Sequence, residues 1–146
     1  MDDSVEIRAA DSSDVETVIR LNPAAAERAE RAELIRESVD AGRAFVAVWK
    51  SRVVGYAVLE HFFFGNGFVR LLYVQPEHRR RGVASALMTY AEQITRTPRL
   101  FTSCNQSNLP MQKLLDRLGY QRSGIVENLD EGDPELIYSK RLPPTN

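Results

Sequence analysis

A chain of 146 residues, with 43% hydrophobic and 27% charged residues, fits one globular domain with enough apolar material for a core. Lys and Arg number 19 and Asp and Glu 20, so the net charge is −1, which argues against a globally basic nucleic-acid-binding protein. The one cysteine excludes an internal disulfide, and two histidines, His61 and His78, do not make a typical zinc ligand set. We therefore predict no metal site.

The N-terminus is acidic and polar, whereas a secretory signal begins with basic residues and continues into an apolar run. No stretch approaches the roughly 18 apolar residues of a membrane-spanning helix. We expect a cytoplasmic protein without membrane or nucleic-acid partners, folded as a single domain over residues 1–146. The oligomeric state stays open, and a homodimer is compatible with the sequence.

Apolar spacing predicts one strand and two helices at the start of the chain, over Val5–Ala9, Val15–Leu21 and Ala24–Val39. Ser13 and Glu16 have the spacing of a capping box at the start of the first helix. Asn22-Pro23 is expected to end that helix, because proline cannot continue it.

Three runs rich in β-branched and aromatic residues follow, at Ala44–Trp49, Val53–Phe63 and Gly67–Val74, and the short turns between them predict an antiparallel meander. The remaining predicted elements are two helices and three strands, over Gly82–Thr95, Arg99–Cys104, Met111–Leu118, Tyr120–Val126 and Glu135–Leu142. The predicted order is β-α-α-β-β-β-α-β-α-β-β. Because a strand-helix-strand step joins parallel strands and hairpins join antiparallel ones, we predict an α+β fold with a mixed, mostly antiparallel sheet.

The basic turn between strand Leu71–Val74 and the helix at Gly82 is the strongest functional feature. Unpaired amides and the peptide dipoles at a helix start favour an anion. Gly82 allows the backbone to approach a phosphate, and Arg79–Arg81 supply guanidinium groups that match phosphate oxygens. The alternatives are a solvated turn, a nucleic-acid contact and a localisation signal. The glycine patterns of a P-loop and of a dinucleotide-binding fold are both absent.

Two motifs resemble the GNAT superfamily of acetyl-CoA-dependent N-acetyltransferases. They are Arg-x-x-Gly-x-Ala at Arg79–Ala84, preceded by Leu72–Pro76, and Asn108 followed by a helix and Leu118-Gly119-Tyr120. The opening IRAADSSDVETVIRL and the element order are also similar, so the resemblance covers nearly the whole chain. It implies a GNAT-like fold, acetyl-CoA as the acetyl donor, no metal, and direct attack by an amine of a small molecule or protein.

The same resemblance implies which residues bind the coenzyme. The backbone around the basic turn would hold its pyrophosphate, through Arg79, Arg80, Arg81, Gly82, Val83, Ala84 and Ser85. Val74, with Leu72 in the same strand, would pair with the pantetheine arm and orient the thioester. Asn108 would contact the arm from the other side.

The resemblance defines the catalytic groups less well. Many members carry a tyrosine that protonates the leaving thiolate, and Leu115 stands at that position here. Tyr73, Tyr120 and Tyr138 are candidate substitutes, of which we select Tyr138, and the alternative is that each packs in the core. Glu60 is the predicted base, with an ordinary edge or surface carboxylate as its alternative. A coenzyme-binding module with weak or no transferase activity is the second functional hypothesis.

Three further segments each have two interpretations. The loop Glu127–Asp133 carries four carboxylates and either attracts a cationic substrate or is a solvated hairpin tip. Phe62–Phe64 either line an apolar pocket or pack on the two faces of the sheet. Cys104 is either an acyl carrier or a small buried hydrophobic residue.

Overall fold

The computed structural model describes residues 4–144, and it contains seven strands and five helices within that range. The strands are Glu6–Ala9 (β1), Ala44–Trp49 (β2), Arg52–Phe63 (β3), Asn66–Val74 (β4), Arg99–Asn105 (β5), Gln121–Val126 (β6) and Glu135–Arg141 (β7). The helices are Val15–Leu21 (α1), Pro23–Glu27 (α2), Ala29–Asp40 (α3), Val83–Ile94 (α4) and Leu109–Arg117 (α5). No helix in this range is both long enough and apolar enough to cross a bilayer.

The strands form one sheet in the order β1-β2-β3-β4-β5-β7-β6. The pairs β1–β2, β2–β3, β5–β7 and β6–β7 are antiparallel, and β4 pairs with β5 in parallel. That parallel ladder places Gly67–Val69 opposite Leu100–Thr102, and β4 continues to Val74 beyond the last of these pairs. The predicted mixed α+β fold is therefore confirmed.

Two-residue turns join the strands of the meander. Lys50 and Ser51 connect β2 to β3 with φ values of 48° and 66°, and Phe64 and Gly65 connect β3 to β4 with φ values of 50° and 80°. Positive φ at both turn residues is typical of the type I′ turn, whose twist matches that of antiparallel strands. The predicted meander follows from these turns.

The second predicted helix is wrong as a single element, so the order begins β-α-α-α. Arg28 is extended, with φ −119° and ψ 115°, and it separates α2 from α3. The break buries Ala25 on one side and Ile35 on the other. Good helix formers stand on both sides of Arg28, so local propensity gives no sign of this break.

The capping box also differs from the prediction, because Asp11 and Asp14 form it and Ser13 and Glu16 do not. The Asp11 side chain accepts a hydrogen bond from the Ser13 amide at 2.9 Å, and Asp14 accepts one from the Asp11 amide at 2.8 Å. Arg8 binds both oxygens of Asp14, at 2.8 and 3.0 Å. Its hydrogen bond holds the pKa of Asp14 below the ordinary value.

The chain divides into two compact units. The first unit runs to Leu59 and includes Leu71–Gln93, and the second unit comprises Glu60–Arg70 and the chain from Ile94. A core of buried apolar side chains lies between helices α1–α3 and strands β2 and β3 of the first unit.

An aromatic cluster is a main feature of the second unit. The Phe63 ring centroid lies 4.9 Å from that of Phe68 and 5.0 Å from that of Phe101. Phe62 and Phe64 are 65% and 89% exposed, so the packing interpretation of this segment holds only for Phe63.

Candidate active site

The turn from β4 to α4 has an unusual backbone. Arg80 and Gly82 both have positive φ, 67° and 81°, whereas Arg81 between them does not. Left-handed backbone conformations therefore alternate with a right-handed one along the turn. The first bond of α4 runs from the Ala86 amide to the Gly82 carbonyl at 2.9 Å. The amides of residues 83–85 therefore have no acceptor within the helix, which is the general condition of a helix start.

Two glycines make this turn possible. At Gly82 the positive φ disfavours any side chain, and no atom lies within 4 Å of the position that a Cβ would occupy. At Gly55 in β3, a Cβ would lie 2.9 Å from the Tyr73 carbonyl oxygen and 3.3 Å from Val83 Cγ1. The missing side chain at Gly55 thus lets the end of β4 and the start of α4 pack closely on β3.

The three arginines of the turn have different surroundings. Arg79 Nε donates to the Val74 carbonyl at 3.0 Å, and its guanidinium carbon lies 5.5 Å from the Tyr73 ring centroid. Arg81 lies 5.9 Å from the Trp49 ring centroid. Arg80 is exposed and contacts no acceptor within residues 4–144. Arg79 therefore braces the end of β4, whereas Arg80 and Arg81 contribute positive charge.

These features make the turn a candidate anion site. Unpaired amides, the positive end of the α4 dipole and two arginines all favour negative charge at one place. The open space beside Gly82 allows a phosphate group to approach the backbone. The residues present therefore fit a diphosphate.

Glu60, the predicted base, lies in the second unit with its side chain 9% exposed. Its Oε2 lies 3.4 Å from Arg70 Nη1. Glu60 is buried in a strand with neighbours on both sides, which contradicts the alternative of an edge or surface carboxylate but does not test its role as a base. His61 turns to a different partner, because its Nε2 accepts from the Arg96 amide at 3.2 Å. Sequence reasoning missed Arg70, although its position ten residues after Glu60, across a tight hairpin turn, was a usable signal.

Tyr138, the predicted acid, is 2% exposed in the middle of β7. It stands opposite Thr102 of β5 and Arg122 of β6, and the Arg122 guanidinium carbon lies 5.4 Å from its ring centroid. Leu115, at the family's tyrosine position, is fully buried in α5. Nothing at Leu115 can donate a proton.

Asn108 caps α5 as predicted. Its side-chain oxygen accepts from the Met111 amide at 3.2 Å, and Pro110 lies in the first turn of the helix. The side chain is exposed.

Most of the hydrogen-bonding capacity of the acidic loop is directed to its own surroundings. Asp130 accepts from Asn105 Nδ2 at 2.8 Å. Asp133 accepts from the Ser107 amide at 3.0 Å and from the Ser107 hydroxyl at 2.6 Å. Two of the four carboxylates thus hold the loop to the segment after β5, a role that the sequence did not suggest.

Cys104 is a buried residue of β5, which favours the alternative of a small hydrophobic residue over that of an acyl carrier. Burial, assisted by the charge of Glu135, raises the pKa of its thiol to about 11. A thiol acts as a nucleophile in its ionised form, which is therefore scarce at neutral pH. Within residues 4–144, no three His, Cys, Asp or Glu side chains are grouped so that they could hold a metal ion.

The fold is that of an α+β protein with a candidate anion site between a sheet strand and a helix start. Residues 11–120 match the family model described as the acetyltransferase (GNAT) family, and the chain belongs to that family. The predicted resemblance is thereby confirmed, and the protein is an acetyl-CoA-dependent acyltransferase. None of the curated proteins compared matches the chain.

Solved structures agree with this assignment. A GNAT-family acetyltransferase from Bacillus cereus ATCC 10987 is 34% identical, with a TM-score of 0.90 over 97% of this chain and 99% of that one. Two more distant structures show the same fold, each over 97% of this chain. They are yncA from Salmonella typhimurium with acetyl-CoA (18% identity, TM-score 0.77, 95% of that chain) and Arabidopsis thaliana NAA60 with a bisubstrate analogue (16% identity, TM-score 0.77, 100% of that chain).

Proposed function

We propose that the protein transfers the acetyl group of acetyl-CoA to a primary amine of a small molecule or protein, by direct attack in a ternary complex. The observation that carries this proposal is the set of unpaired amides beside Gly82 in a chain of the acetyltransferase family. NAA60 was solved with a bisubstrate analogue. Such an analogue presents both substrates at once, which supports a ternary complex for this chain as well.

The basic turn would hold the coenzyme pyrophosphate. The amides of residues 80–85 and the charges of Arg80 and Arg81 would bind its oxygens. Residues of alternating positive and negative φ bring successive amides to one concave side of a turn, where they can donate to the same anion. Arg79 would contribute by bracing Val74 through its hydrogen bond to the carbonyl. The fit rests on the open space beside Gly82.

The end of β4 would orient the rest of the coenzyme. Leu72 and Val74 follow the ladder that ends at Val69, so their backbone groups would pair with the amides of the pantetheine arm. Asn108 would use its amide nitrogen for the same arm. The Val74 amide would donate to the thioester oxygen and stabilise the charge that develops there.

Acetyl-CoA supplies an activated acyl group, and the chain supplies orientation and proton handling. The amine nitrogen bonds to the acetyl carbon as the carbon–sulfur bond breaks. Glu60 would take the proton from the amine, and Tyr138 would give a proton to the departing thiolate.

The test is thiol release from acetyl-CoA with a panel of polyamines, amino acids, lysine peptides and peptides with free N-termini. We expect release with one class of amine. We expect Glu60→Gln and Tyr138→Phe to lower kcat by about 10²-fold or more with an unchanged KM for acetyl-CoA. The exposed Glu131→Gln serves as the control. Binding of acetyl-CoA without release for any amine would overturn the proposal and leave a coenzyme-binding module.

A further inference from the structure

The edge strand β6 is open to solvent along its whole length. All six of its residues, Gln121–Val126, are exposed, whereas two of the four residues of β1, the other edge strand, are half-buried. β6 pairs with β7 on its inner side, and within residues 4–144 it makes no other backbone–backbone hydrogen bond. The outward-facing amides and carbonyls of residues 124–126 are therefore available to another strand.

The second half of β6 has the form of an edge that favours association. Natural edge strands commonly carry lysine, proline or a bulge, each of which hinders pairing with another chain. β6 contains neither lysine nor proline, and its bulge lies between Arg122 and Gly124, in the first half. In the second half, Ile125 and Val126 are 53% and 39% exposed. This half is thus a regular and apolar edge.

The two ends of β6 carry opposite charge. Arg122 in β6 and Arg141 at the end of β7 lie where β6 begins, and both are exposed. Glu127 directly follows the end of β6, begins the acidic loop and is also exposed. None of these three side chains forms an ion pair with another residue of the range 4–144. An antiparallel partner strand with the same charges would bring unlike charges together at both ends, whereas a parallel one would bring like charges together.

We propose that β6 binds the β6 strand of a second copy of this chain, antiparallel and across a two-fold axis, so that the two sheets join. A second copy meets the charge requirement by itself, because an isologous interface presents the same strand, with both of its ends, from each side. A register centred on Ile125 places Ile125 of the two copies opposite each other. It also places Val126 of the second copy opposite Gly124, where no atom lies within 4 Å of a Cβ position.

This register brings the unlike charges together. Arg122 lies three residues before the centre and Glu127 two residues after it, so the two meet across the axis when the strands run in opposite directions. The contact occurs twice, once at each end of the strand pair. A six-residue edge buries less than the roughly 1,200 Å² of a stable interface, so we expect a weak dimer whose population depends on concentration.

Sedimentation equilibrium of the intact protein tests the association, over about 10 μM to 1 mM. We expect the apparent mass to rise from 16.5 kDa towards twice that value. Ile125→Lys places two ammonium groups together at the axis and should weaken the association about tenfold or more. Ile94→Lys is the matched control, because Ile94 is an exposed isoleucine at the end of α4, outside β6, and it should leave the association unchanged.

A charge exchange tests the antiparallel orientation. Arg122→Glu should weaken the association about tenfold, because it brings a second carboxylate to Glu127 of the other copy. Adding Glu127→Arg to that variant restores unlike charges at both ends and should restore the association, which a merely misfolded variant would not do. Hydrogen exchange provides a local readout, since the outward-facing amides of residues 124–126 should exchange more slowly at high protein concentration.

Three results would overturn the inference. The first is a chain that stays monomeric up to about 1 mM, which would leave the edge to a strand of another protein. The second is a dimer that Ile125→Lys weakens no more than Ile94→Lys does, because its interface would then lie elsewhere. The third is a double variant at Arg122 and Glu127 that associates no better than Arg122→Glu alone. None of these measurements requires acetyl transfer, so each result is independent of the proposed function.

Discussion

The basic turn at Arg79–Gly82 and the acidic loop at Glu127–Asp133 are both strongly charged, yet they use their charge differently. In the basic turn, Arg80 is exposed and the amides that follow have no acceptor within α4. In the acidic loop, Asp130 and Asp133 already accept hydrogen bonds from the segment after β5. The difference shows that charge indicates a binding site only where the fold leaves it without a partner.

The largest expected effect is on the basic turn. Gly82→Glu should weaken coenzyme A binding by about a hundredfold or more, because it strains a backbone with φ of 81° and places a carboxylate at the phosphate site. Gly132→Glu is the matched control in the acidic loop, with φ of 74° and the same open space around a Cβ. Calorimetry measures both affinities. Similar losses in the two variants would remove the distinction between the regions.

A smaller effect, on stability, is expected in the acidic loop. Asp133→Ala removes two hydrogen bonds to Ser107 and should lower the free energy of unfolding by about 1–3 kcal/mol. Glu131→Ala, at an exposed position of the same loop, should change it little. Urea denaturation measures the difference. We expect coenzyme A affinity to stay unchanged in Asp133→Ala, and a loss of affinity there would contradict the purely structural role of this carboxylate.

Asp14 differs from the carboxylates of the acidic loop because its partner, Arg8, is charged. Arg8 lowers the pKa of Asp14 in the folded protein, so the pair stabilises the fold above the unfolded pKa of about 3.9. This stabilisation is lost as pH falls through the lower folded pKa. Acid unfolding should show this loss in the wild type and a shallower dependence in Asp14→Asn. Identical pH dependence of the two proteins would contradict the ion pair.

The smallest effect on acetyl transfer is expected from a substitution of Cys104. This residue precedes the segment of the chain that binds the acidic loop. Because burial raises the pKa of its thiol to about 11, iodoacetamide at about pH 8 should modify the native protein far more slowly than the unfolded one. Cys104→Ala should retain acetyl transfer. Rapid modification of the native thiol, or loss of transfer in the variant, would restore Cys104 as a candidate acyl carrier.

Apolar periodicity and turn residues predicted the helices and strands whose signal is local in the sequence. β2 has the predicted bounds, and the meander follows from two-residue turns that the sequence marks clearly. The break at Arg28 escaped prediction, since it serves the burial of Ala25 and Ile35 by tertiary packing. The Asp11–Asp14 box escaped it because Ser13 and Glu16 have the same spacing two residues later.

The functional site divides in the same way. The basic turn was predictable because its strand, arginines and glycine are adjacent in the chain. The partners of the acidic loop required the fold, because Asn105 and Asp130 are distant in the chain. The Glu60–Arg70 pair was within reach of the sequence, because the predicted hairpin brings the two residues together.

The most direct test of the central claim is an NMR titration that follows backbone amide signals as coenzyme A is added. We expect the signals of the α4 start to shift strongly and to saturate together, while those of the loop from Asp130 to Asp133 stay in place. The signals to follow are those of Gly82, Val83, Ala84 and Ser85. Unmoved signals at the start of α4, with binding observed elsewhere in the chain, would contradict it.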